Sequence, residues 1–146
     1  MRKKSTLITL IAVVMLISLA TNASAEEIRT DGSAMLERNI IFNEYRFDTV
    51  YGLYEIPRGV VVDWAHSANP SNPIQYAYYV EGTQAALTQI SEENPINCNP
   101  NGIDGIYGNR TYTAIYNFQD YEGLYKDGAA GDNTYTAMQG YFYTAV

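Results

Sequence analysis

The chain has 146 residues, 47% of them hydrophobic, and carries a formal charge of −7 at pH 7; this length suits one domain, or one small domain with an appendage. So acidic a balance argues against nucleic acid and anionic membrane surfaces as partners, because binding either needs cations to neutralise phosphate. Simple electrostatic capture by an anionic polymer is disfavoured on the same ground, which leaves shape, hydrogen bonds and stacking as the means of recognition.

In chain order, residues 1–25 read as an export signal. Arg2, Lys3 and Lys4 form a basic start, Leu7 to Leu19 an apolar run broken only by Thr9 and Ser18, and Ala23-Ser24-Ala25 a small-residue cleavage pattern. The run is shorter than the ~20 residues of a membrane span. No second apolar run follows, and no cysteine lies near the cleavage point to take a lipid. The expectation is a chain that is exported, cleaved after Ala25 and free of the membrane thereafter, with 121 residues and a charge of −10 once three cations are removed.

Residues 26–75 form an N-terminal segment. Glu26 to Thr30 is polar; Ser33 and Glu37 could cap a short helix carrying Leu36, Ile40 and Ile41, while residues 39–47 read equally well as a strand. Val50 to Ile56 alternates as a strand does and Val60 to Trp64 is β-branched, so Pro57-Arg58-Gly59 between them predicts the turn of a β-hairpin. Ser67 to Pro73, with two prolines, two serines and two asparagines, reads as a linker.

Residues 76–146 read as three helices separated by glycine-rich loops. The first covers about 78–91, with Val80, Gln84, Leu87 and Ile90 or Ser91 stepping by three or four; Gly82 weakens it by about 1 kcal/mol relative to alanine. The second covers about 110–120, with Ala114, Ile115 and Phe118 on its core side. The third covers about 133–142, with Ala137, Met138 and Tyr141 in the matching places. The fold class is therefore α+β. Cys98 has no partner for a disulfide and falls in a loop expected to be exposed; His66 is the only histidine and no Cys-x-x-Cys occurs, so neither a zinc site nor a cofactor is expected.

One pattern occurs twice. Asp104-Gly105-Ile106-Tyr107-Gly108 leads into Thr111, and Asp127-Gly128-Ala129-Ala130-Gly131 into Thr134, in register at a spacing of 23 residues. Glycines allow a loop to turn sharply into a helix, aspartate before glycine can bond nearby backbone N–H groups, and each threonine falls in the first helical turn. Asp104, Gly105, Gly108, Thr111, Asp127, Gly128, Gly131 and Thr134 thus form a structural loop-to-helix device rather than a binding site.

With Gln84 and Leu87 before the first copy, and Phe118-Gln119 and Gly123-Leu124 between the two, residues of about 78 to 143 resemble a peptidoglycan-binding-like domain. The resemblance implies a three-helix bundle that holds a protein on bacterial cell wall, secreted or wall-associated, with peptidoglycan or its fragments as partner. Two departures stand out. The loop from Glu92 to Ile103 is longer and richer in asparagine than the family's usual connection, and Ala129 and Ala130 replace a bulkier residue.

Nine of the fourteen tyrosines lie from Tyr79 onward, and Arg110 and Lys126 are the module's two cations. Rings with polar neighbours suit saccharide faces, which makes Tyr107, Tyr112, Tyr121 and Tyr125 candidate ligand residues. Arg110, near a helix N-terminus, is a candidate for a carboxylate. The alternatives are a structural aromatic position for Tyr107 and an ordinary ion pair with Asp104 or Asp132 for Arg110.

Three other readings bear on the same residues. The doubled Asp-Gly pattern is similar to the calcium loops of dockerin modules. Placing Asp104 or Asp127 fifth in such a loop, however, leaves no carboxylate at the first, third or twelfth position. Catalysis finds paired carboxylates and His66 but no nucleophile setting, and residues 26–75 are few for a catalytic domain. The third reading is a protein-interaction module on the same scaffold, for example a partner of a wall hydrolase. It predicts a flat aromatic patch, where wall binding predicts a groove with convergent polar groups.

Overall fold

Alternation in Glu44-Tyr45-Arg46-Phe47-Asp48-Thr49 makes this stretch a strand with one face buried, and it is β1 (Glu44–Thr49). It pairs antiparallel with β2 (Gly52–Pro57), in a register that sets Arg46 opposite Glu55 and Phe47 opposite Tyr54. The computed structural model describes residues 43–142. The expected signal segment, the Ser33 helix and the last four residues lie outside them.

The hairpin differs from the one expected. Its turn is Val50-Tyr51, held by Thr49 Oγ1, which donates to the Gly52 carbonyl at 2.8 Å and accepts from the Tyr51 N–H at 3.0 Å. Val50 is 75% exposed there, so an apolar residue marks a turn and the strand begins after it. Val60 to Trp64 is not the second strand. Val62 instead exchanges both backbone hydrogen bonds with Ala130, each at 2.9 Å, which ties the N-terminal segment to the loop of the second motif copy.

Four helices follow: α1 (Trp64–Ala68), α2 (Pro73–Glu93), α3 (Asn109–Glu122) and α4 (Asp132–Gln139). The expected linker at 67–73 is thus partly helical. Asp63 caps α1 by accepting the His66 N–H. Asn72 caps α2 by accepting the Gln75 N–H, with Pro73 in the first turn where its missing N–H is harmless. The residues chosen for the first helix face hold their place: Val80, Gln84, Leu87 and Ile90 are at most 2% exposed. Gly82 sits where a Cβ would lie 2.9 Å from the Tyr54 Cβ. Its cost in helix propensity is offset by the close approach of β2 to α2.

Side chains from α2, α3, α4 and the hairpin share one core. Leu87 and Ile90 of α2, Ile115 and Phe118 of α3, and Tyr135 and Met138 of α4 meet Tyr45, Phe47 and Ile56 of the hairpin. The Tyr135 hydroxyl, fully buried, is paired with Thr83 Oγ1 at 2.8 Å, as a buried phenol requires. Ala137 and Tyr141 are only partly buried at its margin. No helix among the described residues is long and apolar enough to cross a membrane.

Candidate functional site

Two buried glutamines organise the repeat. Gln84, on α2, accepts the N–H groups of Asp104 and Gly105 on its Oε1, both at 2.9 Å. Its Nε2 donates to Asp104 Oδ1, the Ile106 carbonyl and Thr111 Oγ1 at 2.9, 3.1 and 2.9 Å. Gln119, on α3, does the same one copy later. Its Oε1 accepts from Asp127 and Gly128 at 3.0 and 2.9 Å, and its Nε2 donates to Asp127 Oδ1, the Ala129 carbonyl and Thr134 Oγ1 at 3.0, 2.9 and 3.1 Å. Each aspartate also takes the N–H two residues on, Ile106 at 3.0 Å and Ala129 at 2.9 Å. A primary amide offers two N–H donors, here shared among three acceptors, and one doubly accepting oxygen, so one glutamine serves a whole loop that would otherwise bury unpaired backbone groups.

The Ile106 N–H and then the Gln84 amide hold the Asp104 carboxyl below the usual carboxylate range. Gly105 and Gly128 have φ of +74° and +73°, the left-handed region that favours glycine. Gly108 and Gly131 are the N-caps of α3 and α4, and neither helix has a side-chain cap bond. Phe118 is fully buried beneath this arrangement.

The long loop after α2 is an extended segment with its own alternation. Ile96, Cys98 and Pro100 are buried while Asn97, Asn99 and Asn101 face outward or stand half-buried. Cys98 corrects the expectation of an exposed thiol. It is fully buried, its Sγ 3.5 Å from the Leu87 carbonyl, and burial pushes its pKa up to about 12. The asparagine side forms a groove against α3, in two adjoining cavities of about 330 and 280 Å³ that share Asn101, Asn109 and Arg110. Thr113 and Asn117 continue the wall of the smaller one. Asn117 Nδ2 donates to the Asn97 carbonyl at 2.9 Å and Arg110 Nη1 to the Asn101 carbonyl at 3.0 Å.

Arg110 therefore hydrogen-bonds a loop carbonyl and forms no ion pair with Asp104 or Asp132, and the exposed residue lines the groove. Tyr107 corrects another expectation. At 4% exposure, with its hydroxyl donating to the Gly128 carbonyl at 2.5 Å, it is a core residue joining the two motif copies, not a ring free to meet a ligand. Burial raises its phenol pKa. Tyr112 is half-buried with its ring stacked on Tyr116, centroids 6.0 Å apart. Tyr121 and Tyr125 are 58% and 84% exposed. Tyr125 borders a smaller cavity of about 210 Å³ in the second copy, with Asp132 and Asn133 in the places that Asn109 and Arg110 hold in the first.

Sequence reasoning noted the asparagines of the loop but not their alignment. The period-two pattern Ile96-Asn97-Cys98-Asn99-Pro100-Asn101 was the signal that could have found them. Among the described residues no group of three His, Cys, Asp or Glu side chains could hold a metal ion.

Residues 79–138 match the family model described as "Putative peptidoglycan binding domain", whereas no curated protein and no solved structure matches the chain. The matched residues run from the first turns of α2 into the last turn of α4. They include both glutamine-held loops and the arginine-bearing groove, and over this segment the chain is similar to the peptidoglycan-binding domain family.

Proposed function

We propose that this is an exported, non-catalytic protein that binds peptidoglycan, with α2, α3 and α4 acting as the family's three-helix bundle and the groove along α3 as the ligand site. One observation carries the reading: Asn97, Asn99, Asn101, Asn109 and Arg110 all line the smaller of the two adjoining cavities. Amides are suited to the hydroxyl and N-acetyl groups of amino sugars, since each offers both a donor and an acceptor. Arg110, beside the uncapped N-terminus of α3, is suited to a carboxylate of a stem peptide or lactyl group. Binding is reversible adsorption through this polar groove, with no net charge attraction needed. Tyr121 and Tyr125 remain as peripheral ring contacts, and Tyr107 supports the scaffold.

The test is co-sedimentation of the purified protein with insoluble peptidoglycan, with and without calcium. Saturable pelleting indifferent to calcium is expected. Arg110→Ala should weaken it roughly tenfold, the equivalent of one charge-assisted hydrogen bond, while the helical circular dichroism persists. A folded protein that stays in the supernatant would sink this reading in favour of a protein-interaction module on the same scaffold.

A further inference from the structure

A second surface of the molecule is built from aromatic rings, and its first ring comes from outside the segment that matches the family. Trp64 opens α1, a helix of five residues none of which is buried. Burial does not hold such a helix in place; polar bonds at its base do. Tyr76 Oη accepts the Asp63 N–H and donates to the Asp63 carbonyl, both at 3.0 Å. One residue earlier lies the paired Val62–Ala130 bridge. What this small braced helix presents is an indole 49% exposed, set edge-on to the buried Tyr107 ring at 5.0 Å and 89°.

From Trp64 the rings continue in a row. Tyr112 follows at 6.4 Å and 31°, then Tyr116 at 6.0 Å and 29°. Lys126 ends the row, its Nζ 5.7 Å from the Tyr116 centroid and 2.9 Å from Asp120 Oδ1. The Tyr112 ring is seated by the scaffold itself, since a Cβ on Gly128 would fall 2.3 Å from its edge. That ring is thus held before any ligand arrives, which spares part of the ordering cost of binding.

We propose that Trp64, Tyr112 and Tyr116 form a stacking platform for an uncharged, N-acetylated β-1,4-glycan strand. The two steps of the row are each about one sugar ring long, and aromatic faces are rigid apolar surfaces against which the C–H faces of pyranoses pack. The chain's charge of −7 disfavours an anionic polymer but not a neutral glycan. Tyr112 and Tyr116 lie on a stripe of α3 about 100° around the axis from Arg110, Thr113 and Asn117. The platform would hold the strand while the neighbouring groove takes a peptide branching from it. This assignment rests on the peptidoglycan-binding reading, and the experiment separates the two.

Trp64 is the only tryptophan of the chain, so its emission reports on this surface alone. The purified protein is titrated with the tetramer of N-acetylglucosamine, which has neither peptide nor carboxylate. Expected are a saturable change in emission, shielding of Trp64 from acrylamide, and an apparent affinity about tenfold weaker in Tyr116→Ala. If the tetramer leaves both emission and acrylamide quenching unchanged while the protein still pellets with wall, the platform is overturned and the wall reading stands. A response to the tetramer without pelleting supports the platform and overturns the wall reading; silence in both assays overturns both. A folded Tyr116→Ala variant that binds the tetramer as tightly as the parent would also overturn the platform. The acrylamide measurement needs no variant and decides the matter should that one fail to fold.

Discussion

In the first copy of the loop-and-helix unit, Gln84 and Asp104 are 20 residues apart in sequence, and the intervening chain lines a groove open along α3. In the second, Gln119 and Asp127 are separated by 8, and the N-terminal segment packs against the loop. Asp132, at the position of Asn109, accepts the Tyr45 hydroxyl at 2.8 Å and the Gly59 N–H at 3.0 Å, while Val62 bridges Ala130. Arg58 lies over the Tyr45 ring at 4.7 Å. One copy is thus finished as a candidate recognition surface and the other as the seat of the hairpin. A duplicated scaffold keeps its internal bonds and diverges in what approaches from outside, and the length of one loop and the charge of one side chain carry that divergence.

The largest expected effect lies in what the copies share. Gln119→Leu strands the buried Gly128 N–H and its neighbours and should cost about 3–4 kcal/mol in urea unfolding, since each buried unpaired group costs about 1–3 kcal/mol. Gln84→Leu should cost less, about 2 kcal/mol, because the Gly105 N–H it strands is only partly buried and can recover water. Equal losses would contradict the view that the second copy is the more enclosed.

A smaller effect separates the copies by pH. The Gly59 N–H and then the Tyr45 hydroxyl hold the Asp132 carboxyl below its ordinary value of 3.8. Because folding lowers this pKa, the stability it brings is present above 3.8 and is lost as pH falls through the lowered value. Asp132→Asn should flatten the acid limb of the stability profile below pH 3.8 and leave the shape above it unchanged. Asp104, lowered in the same sense within the first copy, supplies the acid dependence that remains. An unaltered acid limb in the variant would mean that Asp132 does not clamp the hairpin through its charge.

The difference between the copies explains how much the sequence disclosed. The in-register Asp-Gly and Thr positions were legible because both copies need the same turn. The glutamine bonds were not, since loops of unequal length put Gln84 and Gln119 out of that register. The hairpin was legible as a hairpin but not in its pairing. Pro57-Arg58-Gly59 has the composition of a tight turn, whereas the actual turn carries Val50, and Val62 finds its partner 68 residues away in Ala130. Trp64 stood apart because its neighbours in space, Tyr107 and Tyr112, come from a different segment. Cys98 was misread from its polar surroundings, which are the outward half of an alternating strand-like segment.

That buried thiol gives the finest test of the first copy. With its pKa pushed up to about 12, Cys98 stays protonated and enclosed at pH 8, so a thiol reagent labels the native protein only when the loop opens. Arg110 touches that loop through the Asn101 carbonyl, which leaves two explanations for any loss of wall binding in Arg110→Ala: a missing ligand contact or a loosened loop. An exposed hydrogen bond contributes about 0.5 kcal/mol, so the variant should label only about twofold faster than the parent. Binding that falls tenfold while labelling rises twofold locates the lost energy in the ligand. Labelling that rises as steeply as binding falls would make Arg110 a tether of the asparagine loop, and the groove's affinity would then belong to the asparagines it holds in line.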